Sequence, residues 1–172
     1  MTLLERKYIQ PLTIFLDQDG PLADFAAGAQ LAGLEPDQAK MTPGFYRSLP
    51  PTAGALEALE ELHRWAGIQI FVATKIPDRN PLAATEKIEW LHEHAPWLEE
   101  RIIITPNKAC IGKPGDVLVD DRAHKADAGY FPGLFVHFGA PRWPDWAHVL
   151  NTLRTHCEQH PERLRHLSEP TA

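Results

Sequence analysis

Short apolar runs alternate with longer stretches of helical periodicity along most of the chain. Apolar runs bounded by turn residues predict buried strands, and apolar residues at helical spacing predict amphipathic helices. The predicted strands lie at about 13–17, 68–74, 101–105, 116–121 and 133–139, and the predicted helices at about 53–66, 81–94 and 143–157. This alternation is typical of a mostly parallel sheet sandwiched by helices, so we predict a Rossmann-like α/β fold.

The predicted helix at 81–94 has apolar residues at a spacing that favours one inward face. Ala84, Ile88 and Leu91 form that predicted inward stripe. The same spacing places Lys87 on the flank of the helix. We therefore expect Lys87 to lie beside the core rather than within it.

The chain of 172 residues has the length of one domain, and we treat 1–172 as a single unit. Residues 24–51 interrupt the alternation of strands and helices with an Ala-rich start followed by several Pro and Gly. We predict that this stretch forms a small cap insertion of one or two short helices. Its aromatic residues Phe25 and Phe45 are candidates for substrate binding, with packing into a local core as the alternative.

Polar residues follow three of the predicted strands at the point where each strand ends. Asp17 and Asp19 close the first strand, Thr74 the second, and Asp120 and Asp121 the fourth. The carboxyl ends of parallel strands meet at one edge of a sheet, where open α/β sheets bind ligands. Carboxylates that lie close together repel one another unless a cation sits between them or one holds a proton. The pattern predicts a site for Mg²⁺, which prefers oxygen ligands; a solvated acidic turn is the alternative.

The balance of charges excludes some classes of partner. Lys and Arg number 17 against 23 Asp and Glu, which gives a net charge of −6. A protein with this net charge is not expected to bind a nucleic-acid polymer or an anionic membrane over a large surface. No run approaches the ~18 apolar residues that a membrane-spanning helix needs. We therefore expect neither class of partner.

The cysteines and histidines favour a cytoplasmic protein without a zinc site. Cys110 and Cys157 lie far apart and match no metal-ligand spacing, so we expect reduced thiols. His92 and His94 face different directions on the predicted helix, which argues against a shared metal. No signal-peptide pattern precedes the first strand, in agreement with a cytoplasmic location.

The residues at the strand ends resemble those of a known superfamily. The chain has Asp-x-Asp-Gly after its first strand, Thr after its second, then a lysine, and Asp-Asp after a later strand. This order is similar to the haloacid dehalogenase superfamily of aspartate-nucleophile phosphatases. Within that superfamily the chain most resembles the 5′(3′)-deoxyribonucleotidase family, over about residues 13–122. The motifs that carry this likeness are Asp17–Phe25, Leu49-Pro50 through Gly54-Ala55, Glu86-Lys87 with Trp90, and Asp116–Asp121 followed by Arg122.

The resemblance and the chemistry of carboxylates imply the same roles for the first two aspartates. Asp17 would attack phosphorus to form an aspartyl-phosphate. Asp19 would protonate the departing alkoxide and then activate water. By resemblance, Mg²⁺ is held by Asp17, the backbone carbonyl of Asp19, and Asp121, with Asp120 in support. The resemblance also implies that Thr74 donates hydrogen bonds to the phosphoryl oxygens.

The superfamily also uses a lysine to neutralise charge on the transferring phosphoryl group. Lys87 matches the Glu-Lys-x-x-Trp pattern of the deoxyribonucleotidases, whereas Lys113 lies where many other superfamily members place their lysine. We favour Lys87 as the catalytic lysine and keep Lys113 as the alternative and as a candidate for substrate binding. Lys108 resembles a family lysine that helps to hold the phosphate. Where the family usually has Ser-Pro after the motif Thr, this chain has Lys75, which places an extra cation where substrate is selected.

Together these observations predict a Mg²⁺-dependent phosphomonoesterase whose favoured substrate is a nucleoside monophosphate. A sugar phosphate or another small phosphorylated metabolite is the alternative substrate. A phospho-accepting signalling domain is the alternative from another class, but such domains lack a second aspartate like Asp19 to act as acid and base. We expect the protein to be a monomer or a homodimer.

Overall fold

The computed structural model describes residues 11–98 and 100–164 of the 172-residue chain. Its strands are β1 (Leu12–Leu16), β2 (Ile68–Thr74), β3 (Ile102–Ile104), β4 (Val117–Asp120) and β5 (Leu134–His137). They form one sheet in the order β3-β2-β1-β4-β5, and every pairing is parallel. The five predicted strands are therefore confirmed, with small shifts at their ends, and so is the α/β fold.

The inner strands of the sheet are more buried than its edge strands. The inner strands β1, β2 and β4 are mostly buried, whereas the edge strands β3 and β5 are partly exposed. From β1 the chain builds the sheet to one side and then returns to add β4 on the other side of β1. A reversal of this kind opens a crevice at the carboxyl ends of the two strands where it occurs. Here that crevice lies beside Asp17 and Asp120.

The helices are α1 (Phe25–Ala32), α2 (Pro36–Ala39), α3 (Ala55–His63), α4 (Leu82–His94), α5 (Trp146–Glu158) and α6 (Pro161–Leu164). Buried residues of α3, α4 and α5 join alternate strand residues in one large core on one face of the sheet. The other face is packed by Ile111, Ala128 and Phe131, which belong to loops and to a single 3₁₀ turn. No helix in the described part of the chain is long and apolar enough to span a bilayer.

Helix α4 turns a different face inward from the one that its apolar spacing predicted. Of the predicted stripe, Leu91 is buried as expected, whereas Ala84 and Ile88 are only half-buried, so the prediction is wrong for these two residues. The buried residues are Ala83, Glu86, Lys87, Trp90 and Leu91. The indole of Trp90 donates a hydrogen bond to the carbonyl of Leu49, 2.8 Å away, and this contact with the 24–51 segment helps to set the rotation of the helix. Lys87 consequently lies inside the protein.

The stretch at 24–51 begins and ends at one place, and between its ends it contributes Ala29, Ala39, Phe45, Tyr46 and Leu49 to the main core. The backbone N–H of Asp24 donates to the carbonyl of Pro50, and that of Thr52 donates to the carbonyl of Leu22, each at 2.8 Å. These two bonds form a short stem next to the carboxyl edge of the sheet. Helices α1 and α2 lie within the loop that the stem closes. A cap role for this stretch stays a prediction.

Candidate active site

Three carboxylates meet at the carboxyl ends of β1 and β4. Asp17 follows the last residue of β1, Asp120 ends β4, and Asp121 comes next. One carboxylate oxygen from each of the three lies within 4.8 Å of the other two. The parallel pairing of Leu16 with Val119 keeps the two strand ends level. The structure thus brings together acids that are about a hundred residues apart in the sequence.

A buried lysine lies between two of these acids. Lys108 Nζ is 2.8 Å from Asp17 Oδ1 and 2.6 Å from Asp120 Oδ2. Its backbone N–H donates to the carbonyl of Ala126, which fixes the loop that carries it. Burial lowers the pKa of Lys108, but the charges of Asp17 and Asp120 outweigh burial and raise the pKa above its ordinary value. Lys108 is therefore a permanent cation that neutralises part of the acidic cluster.

The acidic cluster nevertheless keeps uncompensated negative charge. Burial, followed by repulsion from Asp17, raises the pKa of Asp120 to about 6. Burial also raises the pKa of Asp121, although Arg122 Nε lies 3.2 Å from its Oδ1 and opposes the shift. A bound cation would reverse both shifts, because it favours the ionised carboxylates. The arrangement fits a divalent cation that prefers oxygen ligands.

Gly20 packs against the same cluster with no room for a side chain. Its φ is +101°, and a Cβ atom at this position would lie 2.6 Å from Asp121 Cγ. The hydroxyl of Thr52 donates to the carbonyl of Gly20 at 2.6 Å and holds the turn in place. The glycine of the Asp-x-Asp-Gly motif is thus required because the backbone approaches Asp121 so closely.

A second buried lysine, Lys87, forms an ion pair with Asp19. Lys87 Nζ lies 2.8 Å from Asp19 Oδ2, 2.7 Å from Thr74 Oγ1 and 3.1 Å from the carbonyl oxygen of Lys75. The Gln18 side chain donates to the carbonyl of Lys87 at 3.0 Å, which ties α4 to the end of β1. Lys87 is only 1% exposed, so its ammonium group depends on these three oxygen atoms in place of water.

Asp17 and Asp19 therefore have different surroundings although one residue separates them. Asp17 lies in the acidic cluster, whereas Asp19 faces Lys87 and Thr74. The second oxygen of Asp19, Oδ1, is buried without a hydrogen-bond partner among the residues that the structure describes. Such an atom is costly unless it holds a proton or accepts a hydrogen bond from a ligand. Two neighbouring carboxylates in unlike environments can divide the roles of nucleophile and acid.

A cavity of about 300 Å³ opens onto both aspartates. Asp17 and Asp19 line its polar side, and the rings of Phe25 and Tyr46 line another part of its wall. Phe45 is buried behind these rings and contacts them edge-on, with centroid distances of 5.2 and 5.6 Å. Phe25 thus reaches the cavity, whereas Phe45 packs into the local core that we gave as its alternative.

Glu86 connects the aromatic wall to helix α4. Its carboxylate accepts hydrogen bonds from the backbone N–H groups of Gly44, at 2.6 Å, and Tyr46, at 3.1 Å. The ring of Tyr46 in turn lies with its centroid 4.8 Å from Lys87 Nζ. Burial and then the charge of Asp19 raise the pKa of Tyr46, so its hydroxyl stays protonated. Glu86 thus binds the insertion, and Lys87, the next residue of α4, binds Asp19 in the buried site.

Lys113 is the predicted residue that the structure does not bring to the site. It is exposed and lies in the loop before β4, at the amino end of that strand, whereas the acids lie at the carboxyl end. Its backbone N–H donates to Asp116 Oδ2 at 2.9 Å. The Gly-Pro-rich loop carries no periodicity that could have fixed this position, and we leave Lys113 out of the site. Lys75 does line the cavity, with an exposed side chain.

Eight residues that we did not predict for the site also line the cavity: Lys40, Tyr46, Ile76, Pro77, Asp78, Arg122, Lys125 and Ala126. Arg122 follows the Asp-Asp pair directly, and its guanidinium lies 3.8 Å from Asp17 Oδ2. That position in the motif was a signal that could have identified it. Lys40 and Lys125 lie in segments without periodicity, where nothing in the sequence distinguishes them from surface lysines.

Comparison with known sequences agrees with this geometry. Residues 38–165 match the family described as "5′ nucleotidase, deoxy (Pyrimidine), cytosolic type C protein". The human cytosolic-type 5′(3′)-deoxyribonucleotidase is 29% identical over 190 residues, covering 90% of this chain and 88% of that protein. A putative 5′(3′)-deoxyribonucleotidase of Vibrio phage KVP40 is 29% identical over 146 residues, covering 81% of this chain and 83% of that protein. The human mitochondrial 5′(3′)-deoxyribonucleotidase is 26% identical over 189 residues, covering 90% and 77%.

The family match spans well over half of the chain, and the human cytosolic-type relative is similar over 90% of it. The resemblance that the motifs indicated is thereby confirmed. The chain belongs to the deoxyribonucleotide 5′-nucleotidase family, within the haloacid dehalogenase superfamily.

Proposed function

We propose that the chain hydrolyses deoxyribonucleoside monophosphates as a metal-dependent phosphomonoesterase that works through an aspartyl-phosphate. The observation that carries the proposal is the separate bonding of two neighbouring aspartates at the end of β1. Asp17 pairs with Lys108 beside the acidic cluster, whereas Asp19 is held by Lys87 next to Thr74. One carboxylate is thus available as nucleophile and the other as acid and base.

The reaction divides into two displacements at phosphorus. Asp17 forms a bond to phosphorus while the ester P–O bond breaks, and the departing oxygen takes a proton from Asp19. Asp19 then removes a proton from water, whose oxygen attacks the same phosphorus. The bond to Asp17 breaks, inorganic phosphate leaves, and both carboxyl groups return to their starting states.

Charge on the phosphoryl group has to be neutralised during both steps. Lys108 and Lys87 contribute buried ammonium groups beside the two aspartates. Asp17, Asp120 and Asp121 would hold a divalent cation, which we propose is Mg²⁺ and which would offset the charge between carboxylate and phosphoryl oxygens. A contact between this cation and the backbone carbonyl of Asp19 remains part of the proposal.

The relatives support a nucleotide as the substrate, since their names describe 5′(3′)-deoxyribonucleotidases. The half-buried ring of Phe25 on the cavity wall supports it as well, because an aromatic face can stack on a base. The buried pair of Asp19 and Lys87 argues against a phospho-accepting signalling domain, because it supplies the acid and base that hydrolysis needs.

A cytoplasmic location belongs to the same proposal and is supported by the human cytosolic-type relative. Human and mouse relatives are named as mitochondrial, so fractionation of cells that express the protein is the direct test. The predicted monomer or homodimer is tested by light scattering coupled to size-exclusion chromatography.

Phosphate release is the test of the activity, measured over deoxyribonucleoside 5′- and 3′-monophosphates, ribonucleotides and sugar phosphates. We expect deoxyribonucleotides to react fastest, only with Mg²⁺ or a similar ion, and Asp17→Asn to release no phosphate. Asp127→Asn, at an exposed aspartate, is the matched control and should keep wild-type activity. Full turnover in excess chelator or in Asp17→Asn would refute the mechanism, and faster turnover of sugar phosphates would refute the substrate.

A further inference from the structure

The mouth of the cavity is basic although the chain as a whole is acidic. The chain has a net charge of −6. Lys40, Lys75 and Lys125 nevertheless line the same cavity, and we call these three residues the basic rim. They come from three separate segments: the insertion, the loop after β2 and the loop after β4. The fold therefore gathers cations around an opening that composition alone would leave negative.

The buried cations of the site already have anionic partners. Lys108 lies against Asp17 and Asp120, and Lys87 lies against Asp19. Their charge is thus matched before any substrate binds. The reacting phosphate would therefore depend on the proposed divalent cation for much of its charge balance, and these lysines leave little charge for a second phosphate.

The basic rim is not neutralised in this way. One acid, Asp78, also lines the mouth of the cavity; it lies 3.8 Å from Lys75, and the two side chains are 88% and 47% exposed. A pair of this kind contributes little. Lys125 forms no ion pair within residues 11–98 and 100–164, and Lys40 pairs only with the exposed Asp37. The rim therefore has positive charge left for an anion.

Lys75 is the member of the rim that lies closest to the chemistry. It directly follows Thr74, and its own carbonyl accepts a hydrogen bond from Lys87 Nζ. Its backbone is thus held inside the site while its side chain extends into the mouth of the cavity. An anion bound by Lys75 would lie near the reacting phosphoryl group and still outside the buried cluster.

The other two members of the rim lie on elements that approach each other. Lys40 of the insertion and Lys125 of the loop after β4 line the same cavity. The loop after β4 therefore faces the insertion. A ligand that enters between them passes cations from both sides.

We propose that the enzyme acts on phosphomonoesters whose leaving group bears a second phosphate, and that Lys75 with the basic rim binds that second phosphate. Nucleoside 3′,5′-bisphosphates are the class we assign, because the half-buried ring of Phe25 on the wall of the same cavity is available to pack against a base. The reaction consumes one water and yields a nucleoside monophosphate and inorganic phosphate. This inference rests on the proposed function and adds the substrate class to it.

The test compares kcat/KM for deoxyadenosine 3′,5′-bisphosphate with kcat/KM for the matching 5′- and 3′-monophosphates. We expect wild-type protein to prefer the bisphosphate and Lys75→Gln to lower that ratio about tenfold, as a lost charged contact does. Arg79→Gln is the control, since Arg79 is an exposed cation of the same loop that does not line the cavity. It should leave the ratio unchanged.

The second part of the experiment compares kcat/KM for a sugar bisphosphate with kcat/KM for the matching sugar monophosphate. A larger preference there would move the second phosphate to sugar substrates and overturn the nucleoside assignment. Equal kcat/KM for bis- and monophosphates, or an unchanged ratio in Lys75→Gln, would refute the rim as a binding site. Equal losses on both substrates in the variant would also refute it, because they indicate general attraction of anions. No phosphate release from any compound would instead refute the proposed function.

Discussion

Lys87 Nζ lies 2.8 Å from Asp19 Oδ2, so a lysine on helix α4 reaches the carboxylate that follows β1. Both groups are buried, and the lysine hydrogen-bonds Thr74 at the same time. A paired charge at this depth is stabilising only while both partners remain, since either one alone is left desolvated. This ion pair therefore fixes helix α4 against the end of β1 and at the same time holds Asp19, the proposed acid.

Replacing Lys87 should disable the enzyme. In Lys87→Met, which keeps most of the side-chain volume, we expect turnover to fall about 10²–10³-fold, as when an oxyanion donor is lost. Steady-state phosphate release at saturating substrate measures this change, with a thermal melt to check folding. Lys113→Met alters an exposed lysine at the other end of β4 and should cost less than about tenfold. The opposite ranking would make Lys113 the catalytic lysine.

The role of Asp19 as acid predicts a dependence on the leaving group. Asp19→Asn cannot supply a proton, so it should lose most activity on nucleotides, whose alkoxide is a poor leaving group. It should lose less on aryl phosphates, whose phenolate departs without protonation. A series of aryl phosphates of graded phenol pKa measures the slope of log kcat/KM in both proteins. The same loss for every substrate would mean that Asp19 acts on folding or cation binding.

Cation binding should be visible without any turnover. A ligand that binds only the folded state stabilises it, by about 2.7 kcal/mol at a hundredfold excess over Kd. We expect Mg²⁺ to raise the melting temperature of the wild type and to raise that of Asp121→Asn much less, because one carboxylate of the cluster is lost. Asp127→Asn should show the wild-type shift. An undiminished shift in Asp121→Asn would place the cation elsewhere.

Alanine substitutions at Gly20 and Gly33 distinguish the effect of a steric clash from the effect of backbone strain. Both have positive φ, but a Cβ at Gly33 meets nothing within 4 Å, whereas one at Gly20 would collide with Asp121. Gly33→Ala should therefore lower stability by about 1 kcal/mol and leave activity intact. Gly20→Ala should displace Asp121 and remove both activity and the melting shift with Mg²⁺. If both variants behave alike, Gly20 serves only the turn.

Glu86 should control the order of the insertion. Glutamine keeps one acceptor oxygen but turns an N–H₂ group toward a backbone donor, so Glu86→Gln should lose about 1–3 kcal/mol. Hydrogen exchange should speed up at the amides of Gly44 and Tyr46, which donate to Glu86. Glu89→Gln on the same helix breaks only a surface pair with Arg47 and should change neither quantity. Unchanged exchange in Glu86→Gln would show that the insertion is held by its core packing.

The sequence predicted the strand-end residues because their positions follow from strand pattern and sheet topology. Asp17, Thr74 and Asp120 come together in any parallel sheet with this strand order. The depth of Lys87 was not predictable, since apolar spacing assigned the inward face of α4 to Ala84 and Ile88. That face is instead set by Glu86 and Trp90, whose partners lie some forty residues away in the insertion.

Loop residues of the site were harder to predict for a related reason. Lys108 is placed by its two ion pairs and by one backbone bond to Ala126, none of which leaves a periodic signal. Lys113 has equally uninformative neighbours and lies at the opposite end of β4. Only the resemblance to a family distinguished the two lysines before the structure did.

The stem that closes the insertion allows the residues between its ends to change in length and sequence. Its two ends are joined by the bonds from Asp24 to Pro50 and from Thr52 to Leu22, and Glu86 and Trp90 of α4 hold its last residues. Doubling the length of a loop closed in this way costs only about 0.6 kcal/mol in entropy. The residues between these points can therefore change in length and side chain, and with them the cavity wall, while the aspartates proposed to act on the P–O bond keep their places at the end of β1.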